Sequence, residues 1–339
     1  MTDSGGGGWR LGLALSNEIP VLETVALARE AEGLGFAEAW VPESAHGRSV
    51  TSVAAALAGA TDRIGIGVGV VNPFWRHPSL IAMEAATLDE LSGGRLRLGL
   101  GAAIWTLRAL GEDDERTQRP VTATVEALRI VRAMLRGERG PEATLFRARP
   151  DGRLDFEPLR RDVPLYVGAV NRRMLEQSGV WAAGVYLGAI TSPGYTRWAA
   201  EQVAVGARSA GREPGSIDLI ANVLVSVGRD RAAARRAVRP VLAYYLARVE
   251  GVVVETAGAD PDAVAEVRRA VAAEGVDGAI SRVSDHLIDV FAAAGTPSEA
   301  AIALDRYRAA GLHEALAWHV LGPDPVEGLR LLSAEALVR

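Results

Sequence analysis

Ile64-Gly65-Ile66-Gly67-Val68-Gly69-Val70-Val71 is followed by Asn72-Pro73-Phe74-Trp75-Arg76-His77, and then by an amphipathic stretch from Pro78 to Leu91. The first run is short, apolar and bounded by polar residues, which predicts a buried strand. Pro78 suits a first helical turn, where its missing N–H has no intrahelical partner to lose. The segment is therefore one strand–loop–helix unit, and the chain repeats it. Apolar runs recur at Leu11–Leu15, Phe36–Val41, Leu96–Leu100, Leu165–Ala169, Val185–Ile190, Leu219–Val227 and Ala315–Val320, each followed by a helical stretch. Eight such units in a chain of 339 residues predict an α/β fold of the closed (β/α)8 TIM-barrel type with insertions. The excess length falls in two places. Residues 143–158 carry the turn Pro150-Asp151-Gly152 between apolar pairs, which predicts a β-hairpin. Residues 250–296 are rich in Ala and Val with helical periodicity, which predicts a helical insertion. Residues 1–8 end in Gly5–Gly8 and are expected to be a disordered tail, leaving 9–339 as a single domain.

Composition removes several chemistries. The chain has no cysteine, so thiolate metal sites, disulfides and cysteine nucleophiles are excluded. All 37 basic residues are arginine, which excludes Schiff-base catalysis and a phosphate-loop lysine. A net charge of −5 denies a nucleic-acid partner its electrostatic term. No apolar stretch is long enough to span a membrane and no basic-then-apolar signal opens the chain, so a cytoplasmic protein is expected. No His, Asp and Glu spacing suggests a metal site.

In a barrel of this type, chemistry sits on the loops at the carboxyl ends of the strands. Those loops carry Ser16-Asn17-Glu18, Pro42-Glu43-Ser44-Ala45-His46, Asn72 through Pro78, Gly101 through Ile104, Val170-Asn171-Arg172-Arg173, Thr191-Ser192-Pro193-Gly194 and His319. Trp, Phe, His, Asn and Arg together suit a planar aromatic ligand with an anionic tail. The alternating Gly65, Gly67 and Gly69 read first as close packing inside the barrel. A dinucleotide-binding glycine motif fits poorly, because these glycines lie within the strand rather than at a strand-to-helix turn.

The wording of the third loop resembles the bacterial luciferase-like monooxygenase superfamily. Gly69-Val70-Val71-Asn72-Pro73-Phe74-Trp75-Arg76-His77-Pro78 and Ala85 through Arg95 carry the resemblance, with Trp40-Val41-Pro42-Glu43, Leu98-Gly99-Leu100-Gly101 and Val163 through Ala169. Within the superfamily the chain is similar to the deazaflavin branch that includes methylenetetrahydromethanopterin reductase. The resemblance implies coenzyme F-420 as cofactor, or FMN in sister branches, and often a homodimer. It implies a cis peptide at Gly69-Val70 against the ring, Glu43 at the ring edge, and Asn72 and Ala102 beside the ring. It implies backbone N–H groups of Ala169, Val170, Asn171, Arg173 and Met174 at the phosphate, and Thr191 at the cofactor tail. Trp75, Trp105, His319 and the late insertion are expected to hold a small-molecule substrate.

Three positions depart from the pattern. Ala14 stands where the methanopterin reductases have a glutamate, Ser44 where the sugar-phosphate dehydrogenases have a histidine, and Ile104 where an acidic residue is usual. His46 is then the candidate replacement acid, whereas His77, just before Pro78, is expected to start a helix. The expected activity is hydride transfer between F-420 and a small organic substrate. Reduced-FMN monooxygenation and a catalytically silent cofactor-binding role are the alternatives.

Overall fold

The computed structural model describes residues 9–104, 107, 111, 117–147, 151–321 and 324–336. The elements run β1 (Arg10–Ala14), α1 (Val21–Gly33), β2 (Glu38–Val41), α2 (Val50–Ala60), β3 (Gly65–Val71), α3 (Pro78–Leu91), β4 (Leu96–Leu100) and α4 (Pro120–Arg136). They continue with β5 (Leu165–Gly168), α5 (Arg172–Trp181), β6 (Gly184–Leu187), α6 (Pro193–Ser209), β7 (Asp218–Val227) and α7 (Arg231–Leu246). The last third holds α8 (Gly251–Glu255), α9 (Pro261–Ala279), α10 (Asp285–Phe291), β8 (Ala292–Gly295), α11 (Pro297–Ala309), β9 (Glu314–Leu321) and α12 (Pro325–Ala336). Each strand from β1 to β7 pairs in parallel with the next, β7 pairs with β9, and β9 closes on β1. The predicted eight-stranded barrel is therefore present.

Two expected features are corrected. The described part of 143–158 contains no strand, so the hairpin is absent there. Its backbone donors are taken by α4 instead: Glu126 accepts the N–H groups of Thr144 and Leu145 at 2.8 Å each, and the Thr144 hydroxyl at 2.7 Å. The insertion at 250–296 is helical up to Phe291 but ends in β8. The register between β7 and β9 shifts at Leu224/Ser226, and Leu224–Val227 pairs with Ala292–Gly295. Three alanines look helical by propensity, yet Ala292, Ala293 and Ala294 pair with Leu224, Val225 and Ser226 and are buried. Helical spacing presents Arg231, Arg235, Arg236 and Arg239 as one solvated face. Arg231 and Arg236 are exposed and Arg235 is buried. Arg231, Arg235 and Arg239 bind Glu299, Asp289 and Asp285 at 2.7 Å each. They clamp the insertion and α11 to α7.

The amino-terminal ends of the strands meet in a charged floor. Arg10 binds Asp218 at 2.6 Å and Glu314 at 2.9 Å, and Arg97 pairs with Glu38. The Trp40 indole donates to Glu38 and the Tyr166 hydroxyl to Asp218, both at 2.6 Å. Three carboxyls thus face two guanidiniums. Burial, then repulsion from Glu38, raises Glu314 well above the ordinary carboxyl range. Burial also opposes charge on Asp218, but contacts with His313 and Arg10 hold it below its usual value.

These opposite shifts predict opposite pH profiles. A raised Glu314 stabilises the fold below its unfolded value of about 4.3 and loses that contribution as pH rises through its folded value. Glu314→Gln, which cannot ionise, is expected to flatten the alkaline fall in Tm and to be at least as stable as the parent near pH 8. A lowered Asp218 contributes above its unfolded value of about 3.9 and loses the contribution on acidification. Asp218→Asn is expected to cost about 2–3 kcal/mol at neutral pH, with a gap that closes in acid. Thermal unfolding against pH for both variants checks the pair.

Candidate active site

Alternate residues of each strand face the barrel axis. Above the charged floor the axis is filled by Trp40, Tyr166, Tyr186, Ile220 and Leu316, with Ala14 and Val70 packed on them. Trp40 stacks on Tyr186 with centroids 5.3 Å apart and meets Tyr166 edge-on at 5.3 Å. These rings occupy the volume that side chains on neighbouring strands would need. A methyl group at Gly67 would overlap the Trp40 ring, one at Gly184 would overlap Tyr166, and one at Gly69 would lie 2.8 Å from Trp40. Close packing therefore accounts for Gly67 and Gly69.

The next layer towards the carboxyl ends includes Ala14, Gly69, Gly101, Gly168 and Gly188, together with Asn222 of β7, whose side-chain oxygen accepts the Tyr186 hydroxyl at 2.9 Å. Val70 rises among three glycines: methyls at Gly99, Gly101 and Gly168 would come within 3.0, 2.6 and 2.9 Å of it. The Gly69-Val70 peptide is cis, as the resemblance implied, and the β3–β4 register shifts between Val68 and Val71. Ala14, Val70, Gly168, Gly188 and Ala189 are half-exposed. The barrel mouth is thus a shallow bowl floored by backbone and methyl groups. Ala103 and Ala189, on the loops after β4 and β6, hold positive φ angles of 41° and 59°, conformations that concentrate at functional sites.

One wall joins the loops after β2, β3 and β4. Glu43 pairs with Arg76 and accepts the Asn72 N–H at 3.0 Å. Arg76 also reaches Glu84 of α3 at 3.3 Å. Burial, partly offset by Arg76 and reinforced by Glu43, raises the Glu84 carboxyl. The Asn72 side chain is buried and donates to the Ala102 carbonyl at 2.6 Å, while its oxygen accepts the Phe74 N–H at 2.9 Å. Asn72 and Ala102 therefore tie two loops together, and the Asn72 amide is used within the protein. Ser44 hydrogen-bonds Asn17 at 3.1 Å. His77 accepts the Ser79 N–H at 3.2 Å and caps α3, as expected.

The opposite wall is the start of α5. Two of the expected phosphate donors are occupied: Ala169 N–H extends the ladder to the Tyr186 carbonyl at 3.2 Å, and Met174 N–H closes the first helical turn on Asn171 at 3.0 Å. The Val170, Asn171, Arg172 and Arg173 N–H groups have no partner among the described residues, and the Arg172 and Arg173 side chains are exposed. Tyr195 of α6 donates to the Val170 carbonyl at 2.9 Å and fixes the loop. Thr191 is wholly buried, its hydroxyl donating to the Asn222 carbonyl at 2.6 Å and its carbonyl accepting from Tyr307 at 2.9 Å. It braces the wall, and its proton is already committed.

Trp75 is half-buried on the rim, and its indole N–H is buried without a partner. His46 is exposed. Trp105 lies outside the described residues, and His319 is on β9 with its side chain outside them. Sequence reading missed Trp318. On β9, Glu314 joins the floor and Leu316 joins the ring layer, so strand alternation sets half-exposed Trp318 on the same inner face at the mouth. Tyr245 of α7 packs edge-on against it at 4.6 Å. Burial and Tyr244 push the Tyr245 hydroxyl up to about 12, so it is neutral at ordinary pH. A Cβ at Gly194 would overlap the Thr256 carbonyl, which shows how closely the insertion lies over the sixth loop.

This geometry agrees with the comparisons. The chain is 32% identical to 5,10-methylenetetrahydromethanopterin reductase of Methanolobus tindarius, over 94% of this chain and 96% of that one. It is 30% identical to the enzyme of the same name from Archaeoglobus fulgidus, over 97% and 98%. The structure of the coenzyme F-420-dependent tetrahydromethanopterin reductase from Methanopyrus kandleri superposes with a TM-score of 0.89 at 26% identity, covering 97% of this chain and 99% of that one. The family model for the luciferase-like monooxygenases matches residues 8–314, and the chain belongs to that family.

Proposed function

We propose that this protein is a coenzyme F-420-dependent oxidoreductase that moves a hydride between the deazaflavin and a small organic substrate. The observation that carries the reading is the bowl of Ala14, Gly69, Gly101, Gly168 and Gly188, in a chain similar over nearly its whole length to named F-420 reductases. A planar ring fits where these residues leave only backbone and methyl groups, and any larger side chain there would fill it.

When bound, the deazaflavin supplies the centre that gives or takes the hydride. The protein supplies support and orientation. The Gly69-Val70 backbone and the Val70 methyls would hold one face of the ring. Glu43, fixed by Arg76, would lie at its edge. The Val170, Asn171, Arg172 and Arg173 N–H groups at the α5 amino terminus suit a phosphate, and the two guanidiniums add charge. Trp75 and Trp318 keep water from the reacting face, and the free Trp75 N–H is a donor for substrate.

Ala14, Ser44 and Ile104 leave the mouth without an acid at the three positions where relatives of this family are expected to carry a proton-handling group. A C=C or C=N bond is the substrate that such a mouth suits, because one proton completes the reduction. His46, exposed on the second mouth loop and free of hydrogen-bond partners among the described residues, is the group we assign to deliver it.

Three measurements test the reading. Titration with F-420 and with FMN, followed by fluorescence and oxygen uptake, is expected to show saturable binding of F-420. FMN binding with oxygen consumption would establish a monooxygenase, and binding of neither would establish a silent member. Gly188→Leu adds bulk to the bowl at a position where the Cβ meets nothing closer than 3.6 Å. It is expected to keep Tm and to weaken cofactor binding at least about tenfold, or about 1.4 kcal/mol. His46→Ala is expected to lower kcat about 100-fold with cofactor affinity unchanged; full turnover would give the proton to water.

A further inference from the structure

At the end of the barrel away from the mouth, a cavity of about 450 Å³ opens between α4, α5 and the segment leading into β5. Its wall carries the guanidiniums of Arg132, Arg136, Arg161 and Arg212 against a single lining carboxylate, Asp162. The bottom of the cavity is apolar, with Leu135, Val163 and the Trp181 ring, over which Arg129 lies at 4.8 Å.

Part of this charge has a structural use. Arg212 donates to the Gly179 and Val180 carbonyls at 2.9 and 3.2 Å, and Arg132 donates to the Trp181 carbonyl. Both cap the carboxyl end of α5, where a cation favours the helix dipole. That use takes one nitrogen from each. Arg132 Nε and Nη1 and Arg212 Nε and Nη2 make no hydrogen bond among the described residues. Arg136 is held by Asp162 through Nε at 2.8 Å and Nη2 at 2.5 Å, and Arg161 by Glu157 at 2.6 Å on the rim. Arg132 and Arg212 line the same cavity and neither is in a direct ion pair among the described residues, although Asp162 and Glu138 offset part of the repulsion at Arg132. Burial, then repulsion from Arg136 and Arg212, lowers the Arg132 pKa. Like charges sharing a partly desolvated cavity favour an anion placed between them, and guanidinium forks match phosphate oxygens two at a time.

We infer that this cavity is a second binding site, for a small molecule carrying phosphate or pyrophosphate. The size suits such a ligand. It is distinct from the phosphate donors at the mouth: α5 separates the two, and its ten residues place its ends about 15 Å apart. The site does not depend on the cofactor assignment.

The test is calorimetric titration of the full-length protein with sodium pyrophosphate and with inorganic phosphate at constant ionic strength. A saturable event tighter for pyrophosphate than for phosphate is expected, and it is expected to persist when the mouth donors are altered. The double variant Arg136→Gln/Arg161→Gln removes two rim charges whose pairs are largely exposed, so its Tm is expected to hold while pyrophosphate affinity falls at least about tenfold. Arg173→Gln, at the mouth, is expected to change that affinity less than about twofold. Absence of saturable binding overturns the site. So does binding that survives the double variant, or that Arg173→Gln abolishes. Equal affinity for pyrophosphate and chloride would reduce it to unselective charge attraction and overturn it as well.

Discussion

Trp40 is the side chain on which the barrel interior is organised. It stacks on Tyr186, meets Tyr166 edge-on and donates to Glu38, so three rings share the middle of a closed sheet. A barrel of eight strands has room for side chains in layers and no channel. Large rings from β2, β5 and β6 can fit only if facing positions give up their side chains. Gly67, Gly69 and Gly184 are the positions that do so. The same trade shapes the layer above. Gly99, Gly101 and Gly168 yield their volume to Val70, and above Val70 the Trp318 ring of β9 stands at the side of the mouth. The bowl is thus a consequence of packing carried one layer too few to close the top.

The floor and the mouth divide the work between the two ends of the strands. At the floor, three carboxyls and two guanidiniums gather around the axis, with Glu38 and Glu314 buried and both carboxyls raised by that burial. A buried charge without a partner costs more than a hydrogen-bonded neutral acid. Charge at this end stabilises the closed ring of strands. At the mouth the inner face carries none among the described residues, and the Glu43–Arg76 pair stands on the wall. A hydride moving over an apolar floor meets no competing proton source beneath it.

Much of this order is legible in the sequence and some is hidden for physical reasons. The eight strands announce themselves because their short apolar runs alternate with stretches of helical length, several of which open on proline, and the third run identifies the mouth. Trp318 was equally open to reading: in Glu314-Ala315-Leu316-Ala317-Trp318 the large residues alternate with alanine, which sets one face inward. Attention to His319 as a chemical group passed over that alternation. β8 was hidden, since Ala292-Ala293-Ala294 has no alternation at all and only the β7 register shift gives it a partner. The hairpin failed because turn chemistry is local, while the competing acceptor, Glu126, lies 18 residues upstream of Thr144. The donors of Ala169, Met174 and Thr191 are committed within the fold: sequence shows which donors exist and says nothing of which are already taken.

That last distinction bears on how far likeness to a family carries function. The backbone that supports a ring and the helix start that suits a phosphate are held by packing, by Tyr195 and by the ladder of β5 on β6, and these persist under wide substitution. Proton delivery depends on single side chains, and three of the positions expected to carry them here hold Ala14, Ser44 and Ile104. A scaffold can therefore keep its cofactor while changing its substrate, because the two depend on different kinds of interaction. In this chain the cradle is built of backbone and small residues, while three positions expected to be ionisable hold Ala14, Ser44 and Ile104. The substrate is then chosen by what the mouth lacks as much as by what it offers: a bond that needs strong acid assistance would find none, and one that accepts a hydride first and a proton afterwards would need only the rim.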